Sequence, residues 1–263
     1  MTTLDKRFVF RANAIGVAGQ ITRPQSAVRM HGASSLPVVG GYAQSDVQRT
    51  QLEDVFEFES AWTETSGDFS KKEKAYKTLA TAHVKGLNVT NRLTADLIEA
   101  TISSTQPVDG GDPSIVPKTV RIENLRLDGY PIKMRIDKKL FTSHATKQSL
   151  ATAYETDDKF HTSYGHRFHV SSTAASRRSS RRRLPELSGC VCCSIVDKVT
   201  TTHPEAQIND HAITLEGFGT IYLGEFLITD ISRRLTLLRL KLGSPVAGDL
   251  ACAEVESNGI LII

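Results

Sequence analysis

The strongest constraint in this chain is a two-residue alternation of apolar and polar side chains. Phe8, Phe10, Ala12 and Ala14 alternate with Arg7, Val9, Arg11 and Asn13. Ile98, Ala100 and Ile102 alternate with Glu99, Thr101 and Ser103, and Ile132, Met134 and Ile136 with Lys133, Arg135 and Asp137. Side chains on a strand point to opposite faces in turn, so each run is a strand with one buried and one wet face. Such strands belong to antiparallel sheets, because parallel sheets bury both faces. Phe56, Phe58 and Trp62 read the same way, which places Trp62 in the core opposite Glu57 and Glu59.

Local signals fix several connections. Asp128-Gly129 is the pair favoured in a type I′ turn, and predicts a hairpin between Thr119–Leu127 and Tyr130–Asp137. Ser70–Ala80 reads as a charged hairpin tip. In the last third, Ala212–Leu215, Thr220–Leu223, Phe226–Thr229, Leu235–Leu242 and Leu250–Glu256 are short apolar runs split by Gly217, Gly219, Gly224 and Gly243-Ser244-Pro245. This spacing predicts a meander in a sandwich or barrel. One helix is expected over Thr146–Phe160, with Ser143 as its N-cap. The fold class is therefore all-β and mainly antiparallel: a β-sandwich or a β-meander/barrel, with one short helix near 146–160. Strands do not alternate with long helices, which argues against a Rossmann-like fold or a TIM barrel.

The chain reads as one β domain over 1–263. A division into 1–170, an Arg/Ser-rich loop over 171–188 and a meander over 189–263 is the alternative. Pro107–Pro117 is a second loop. Three segments, Gly86–Ala100, Gly219–Glu225 and Leu235–Pro245, resemble strands of uncharacterised bacterial all-β proteins, including those of the choice-of-anchor type. The resemblance implies a structural or surface role and supplies no catalytic residues.

Motifs for chemistry are sparse. The chain has no Gly-x-Ser-x-Gly elbow, no P-loop and no Gly-x-Gly-x-x-Gly. Cys190 and Cys193 have the Cys-x2-Cys spacing of a zinc site, with His203 and His211 downstream as the remaining ligands. Against this, the two histidines are seven apart, and Cys190 and Cys192 would face away from Cys193 on a strand. Small apolar cysteines account for the same residues. His161, His166 and His169 lack the following Glu of a cupin. Glu57, Glu59, Asp157 and Asp158 read as surface charge, and Asp109 and Asp112 lack the calcium-loop pattern. No cofactor is implied. Asn88-Val89-Thr90 matches a glycosylation triplet that matters only on secretion. The N-terminus carries no readable Sec signal and no apolar stretch long enough for a membrane helix. The expectation is a cytoplasmic protein, with non-classical export open.

Charge is concentrated. Arg177, Arg178, Arg181, Arg182 and Arg183 lie within seven residues, and taking these five from a formal net charge of +3 leaves −2. Such a run binds an acidic partner, including a sibling subunit, or nucleic acid, or is a solvated loop; no interleaved aromatics favour base stacking. At the other end, Ile260, Leu261, Ile262 and Ile263 form an aliphatic terminus that must pack within the chain or complete a neighbour's sheet. The expected function is a structural or interaction protein that self-associates into a homo-oligomer through β-sheet surfaces. The alternatives are a carbohydrate- or ligand-binding sandwich, and a hydrolase or metal-dependent enzyme on a β scaffold.

Overall fold

A computed structural model describes residues 7–52, 54–169, 191–229 and 232–262. In chain order, the first strands are β1 (Arg7–Arg23), β2 (Gln25–Ser35), β3 (Gly41–Leu52), β4 (Phe56–Ser70), β5 (Ala75–Val89) and β6 (Leu93–Pro107). They are followed by β7 (Ser114–Glu123), β8 (Arg126–Leu127) and β9 (Tyr130–Ile136). Helices α1 (Lys139–Ser143), α2 (Lys147–Thr156) and α3 (Asp158–Tyr164) come next, then β10 (Phe168–His169), β11 (Val191–Ser194) and β12 (Val196–Thr201). The chain ends with β13 (Gln207–Asn209), β14 (Ala212–Leu215), β15 (Gly219–Ile228), β16 (Arg233–Leu242) and β17 (Ala247–Ile262).

The strands form two antiparallel sheets stacked as a sandwich rather than a closed barrel. Among the described residues, sheet one runs β10-β11-β15-β16-β17-β1-β2, with β13 and β14 beside β15. Sheet two runs β12-β9-β8-β6-β5-β4-β3, with β7 on β6. The fold class read from the alternation is thus what the chain adopts. The last strand lies between β16 and the first strand, pairing with β1 from Arg7↔Ile262 to Arg23↔Ala247. Phe8, Phe10, Phe58, Ile98, Ile102, Phe226 and Leu235 fill the interior between the sheets.

The alternation changes phase once in most of the long strands. In β4 the buried positions run Phe56 and Phe58, then Ala61, Thr63 and Thr65; in β5 they run Ala80, Ala82 and Val84, then Leu87 and Val89. In β6 they are Leu93 and Ala95, then Ile98, Ala100 and Ile102. The pairing keeps its register across these steps, so the irregularity crosses the sheet as one line. Gly86 sits on that line with φ +61°, where a Cβ would come within 2.4 Å of Glu59 Cγ. Sheet one does the same between Ala14 and Val17, at Gly224 and at Ala253, both with positive φ. A bulge of this kind turns the rest of the strand over. Trp62 is the casualty: it lies beyond the step, so it faces outward and is half-buried, not in the core as its spacing from Phe58 suggests.

The helical segment also departs from expectation. Three short helices replace one. Asp157 has extended backbone (ψ 104°), and its carboxylate accepts from the amides of Lys159 and Phe160, ending α2 and capping α3. The cap of α2 is Thr146, whose hydroxyl accepts from Ser149 N at 3.0 Å; Ser143 instead belongs to α1. The Asp128-Gly129 turn forms as expected, with φ +50° and +80°, but joins β8 to β9. The charged segment is a hairpin, but its tip is only Lys71–Lys74, and Ala75–Ala80 already belong to β5, paired with β4 from Ser70↔Ala75. Phe226–Thr229 and Thr220–Leu223 merge into the single strand β15.

Candidate functional site

Ile260, Leu261 and Ile262 form the end of β17. They pair with β1 through Val9↔Ile260, Phe8↔Leu261 and Arg7↔Ile262. Leu261 packs against the interior, whereas Ile260 is 43% and Ile262 53% exposed on the outer face of sheet one. β16 stops pairing at Arg233↔Ser257, so among the described residues Asn258–Ile262 have a strand neighbour on the β1 side only. The amide of Phe10 donates to the carbonyl of Val38, and Val38 and Val39 are 59% and 71% exposed beside β1. The end of β17 and the β2–β3 turn thereby expose aliphatic side chains on either side of the start of β1. Ile263 lies outside the described residues.

The next stretch of the outer face of sheet one is charged and tightly paired. Arg239 holds Glu225 through Nε–Oε2 at 2.5 Å and Nη2–Oε1 at 2.8 Å, and lies 3.8 Å above the Tyr222 ring. Burial works to raise the pKa of Glu225, but Arg239 and His211 outweigh it and hold the carboxyl at about 2. Arg234 bonds Glu256 at 2.8 Å, and Arg11 reaches the same carboxylate at 3.2 Å. Thr236 donates to Glu254 at 2.8 Å. These charges pair with one another within the sheet, and the aliphatic end of β17 lies beyond them.

The proposed metal ligands are spread apart. Cys193 is buried under the carbonyl of Phe226, and burial pushes its thiol pKa well up. His211 stands 3.9 Å from Glu225, and His203 stands 3.3 Å from Asp128 at the β8–β9 turn. Among the described residues, no three His, Cys, Asp or Glu side chains are grouped to hold a metal ion. Cys190 and the run Arg177, Arg178, Arg181, Arg182 and Arg183 lie outside the described residues. The amide of Asn88, in the glycosylation triplet, donates to Glu57 at 3.1 Å and Asn91 at 2.9 Å.

Sheet two presents a second, polar surface that the sequence did not reveal. Register aligns Asp46, Trp62, His83, Glu99 and Arg121 on neighbouring strands β3 to β7. Burial lowers the pKa of His83, and Glu99 opposes that effect. On the same face a cleft of about 470 Å³ is lined by Ser66, Lys77, Leu79, Ser103, Thr105 and Lys118. Within β4 no glycine marks the reversal between Phe58 and Ala61; the glycine on that line is Gly86 of the neighbouring strand.

No helix among the described residues is long and apolar enough to cross a membrane. No curated protein and no solved structure matches the chain. The model of one family, described as a domain of unknown function (DUF8256), matches residues 8–229, from β1 through β15. The chain belongs to the DUF8256 family.

Proposed function

We propose that this chain is a structural, self-associating protein that builds a homo-oligomer through its β-sheet surfaces. The observation that carries the reading is the end of β17, where Ile260 and Ile262 are exposed beside an edge with no described strand against it. Unpaired strand edges with apolar flanks are templates for another chain, and isolated aliphatics gain by leaving water together. The thiols of Cys193 and Cys252 fit a reducing, cytoplasmic setting. The test replaces Ile260 and Ile262 with Lys and measures native mass by light scattering, with circular dichroism to verify the fold. The variant is expected to lose mass relative to the wild type. A folded variant of unchanged mass overturns the role of this patch.

A ligand-binding sandwich is the second reading, favoured by Trp62 and the hydroxyl-lined cleft on the outer face of sheet two. Sugars are bound by an aromatic face and polar groups around it. Trp62 is the only tryptophan, so titrating a neutral oligosaccharide against intrinsic fluorescence reads this surface alone. No change across a glycan panel removes the reading.

A further inference from the structure

Two neighbouring tips at one end of the sandwich carry different chemistries. The β2–β3 turn crosses from sheet one to sheet two, and a Cβ on its Gly40 would lie 2.8 Å from the carbonyl of Gly67, just before the β4–β5 tip. Its backbone is fixed by Phe10 N donating to Val38 O at 3.0 Å and Gly40 N donating to Pro37 O at 2.9 Å. Leu36 enters the core, whereas Val38 and Val39 take no part in it and stand in solvent. At the base of the β4–β5 tip, Phe69 is exposed and leans on Tyr76, which stacks on Phe8. The tip itself carries Lys71, Lys72 and Lys74, all exposed, and its one acid, Glu73, is taken by Lys77. Arg7 is exposed at the nearby start of β1. The other acids at this end are Asp68, on the outer face of sheet two, and Asp109 and Asp112 in the β6–β7 loop. Strand order puts that loop on the far side of the tip from the valines.

We propose that this end of the sandwich docks on an anionic lipid surface. Val38, Val39 and Phe69 enter the headgroup layer, and Lys71, Lys72 and Lys74 meet the lipid phosphates and carboxylates. The proposal goes beyond self-association and does not depend on it. Apolar side chains held out on a fixed turn gain by leaving water, and lysines beside them are drawn to a negative surface. The shape and the charge together choose the occupant. A protein partner needs a complementary surface of about 800 Å² on each side, which protruding tips do not offer, whereas a fluid lipid surface yields to them. A second copy of this end would set lysines against lysines. Nucleic acid would satisfy the lysines and leave the valines in water.

Vesicle sedimentation with the full chain tests this. The wild type is expected to sediment with vesicles of phosphatidylcholine mixed with phosphatidylserine, and not with phosphatidylcholine alone, and the binding should weaken as salt rises. At about 1 kcal/mol for each lysine near the surface, replacing Lys71, Lys72 and Lys74 together with Gln should weaken binding about a hundred-fold. Val38→Ser with Val39→Ser should weaken binding to the same vesicles while its salt dependence remains. All five positions are exposed, so circular dichroism should show both variants folded. A third variant, with Arg177, Arg178, Arg181, Arg182 and Arg183 replaced by Ser, should keep its binding. A wild type that stays in solution with the phosphatidylserine vesicles overturns the proposal. So does binding that survives both the lysine and the valine changes, or binding that is lost only when the five arginines are replaced.

Discussion

Arg239 grips both carboxylate oxygens of Glu225 across the β15–β16 ladder while its guanidinium lies on the ring of Tyr222. The Glu225 side chain is only 16% exposed, and its carboxyl is held at about 2 against an ordinary 4.5. The native state therefore keeps Glu225 charged where the unfolded chain takes up a proton. Its contribution is full above pH 4.5 and is lost as pH falls from there toward about 2. Glu225→Gln should be less stable than the wild type at neutral pH, and the gap should close over that acid window. Chemical denaturation at a series of pH values measures it; a gap that widens on acidification contradicts the assignment.

Arg92 joins the two sheets at the other end. It donates Nε to Asp128 at 2.8 Å and Nη1 to the carbonyl of Gly217 at 2.7 Å, with Phe218 beneath it. Those hydrogen bonds hold the carboxyl of Asp128 below its usual range, with His203 adding to the effect. Arg92→Ala should cost about 1–2 kcal/mol, because charge-assisted bonds are lost from a site that solvent only partly screens. A urea midpoint unchanged from the wild type would show that the clamp is decorative.

Gly16 lies close against the opposite sheet. A Cβ there would lie 2.7 Å from Ala61 Cβ and 2.9 Å from the carbonyl of His31. Gly16→Val should destabilise by about 1–3 kcal/mol through overpacking. Thermal unfolding checks this, and a stabilised variant would mean that the sheets separate at no cost.

Trp62 should be reached by solvent. It is half-buried on the outer face of sheet two, not sealed between the sheets. Acrylamide should quench its fluorescence in the native protein, and Trp62→Ala should cost less than the 3–5 kcal/mol typical of a core tryptophan, about 1–2 kcal/mol. A blue-shifted, unquenchable emission would put the ring back in the core.

The sandwich was legible because its strands carry their faces in the sequence. Phe8 to Ala14 and Ile98 to Ile102 point where their alternation says. What alternation does not carry is a change of phase. Gly86 and Gly224 punctuate two of the steps, but Ala253 takes a positive φ with no glycine to announce it. Leu237 and Leu238 are both buried, and adjacent apolar residues read equally as strand or helix. Trp62 was misplaced for this reason. The aliphatic end at Ile260 was visible, and the structure packs that last strand within its own chain, paired to β1 as far as Arg7↔Ile262. Leu261 packs inward and its two neighbours do not.

Self-association is tested most directly by the native mass of the full chain in solution, measured by light scattering across a concentration series. The account predicts a particle of at least two copies of the 28.8 kDa chain. A single-copy particle of 28.8 kDa at every concentration would contradict it.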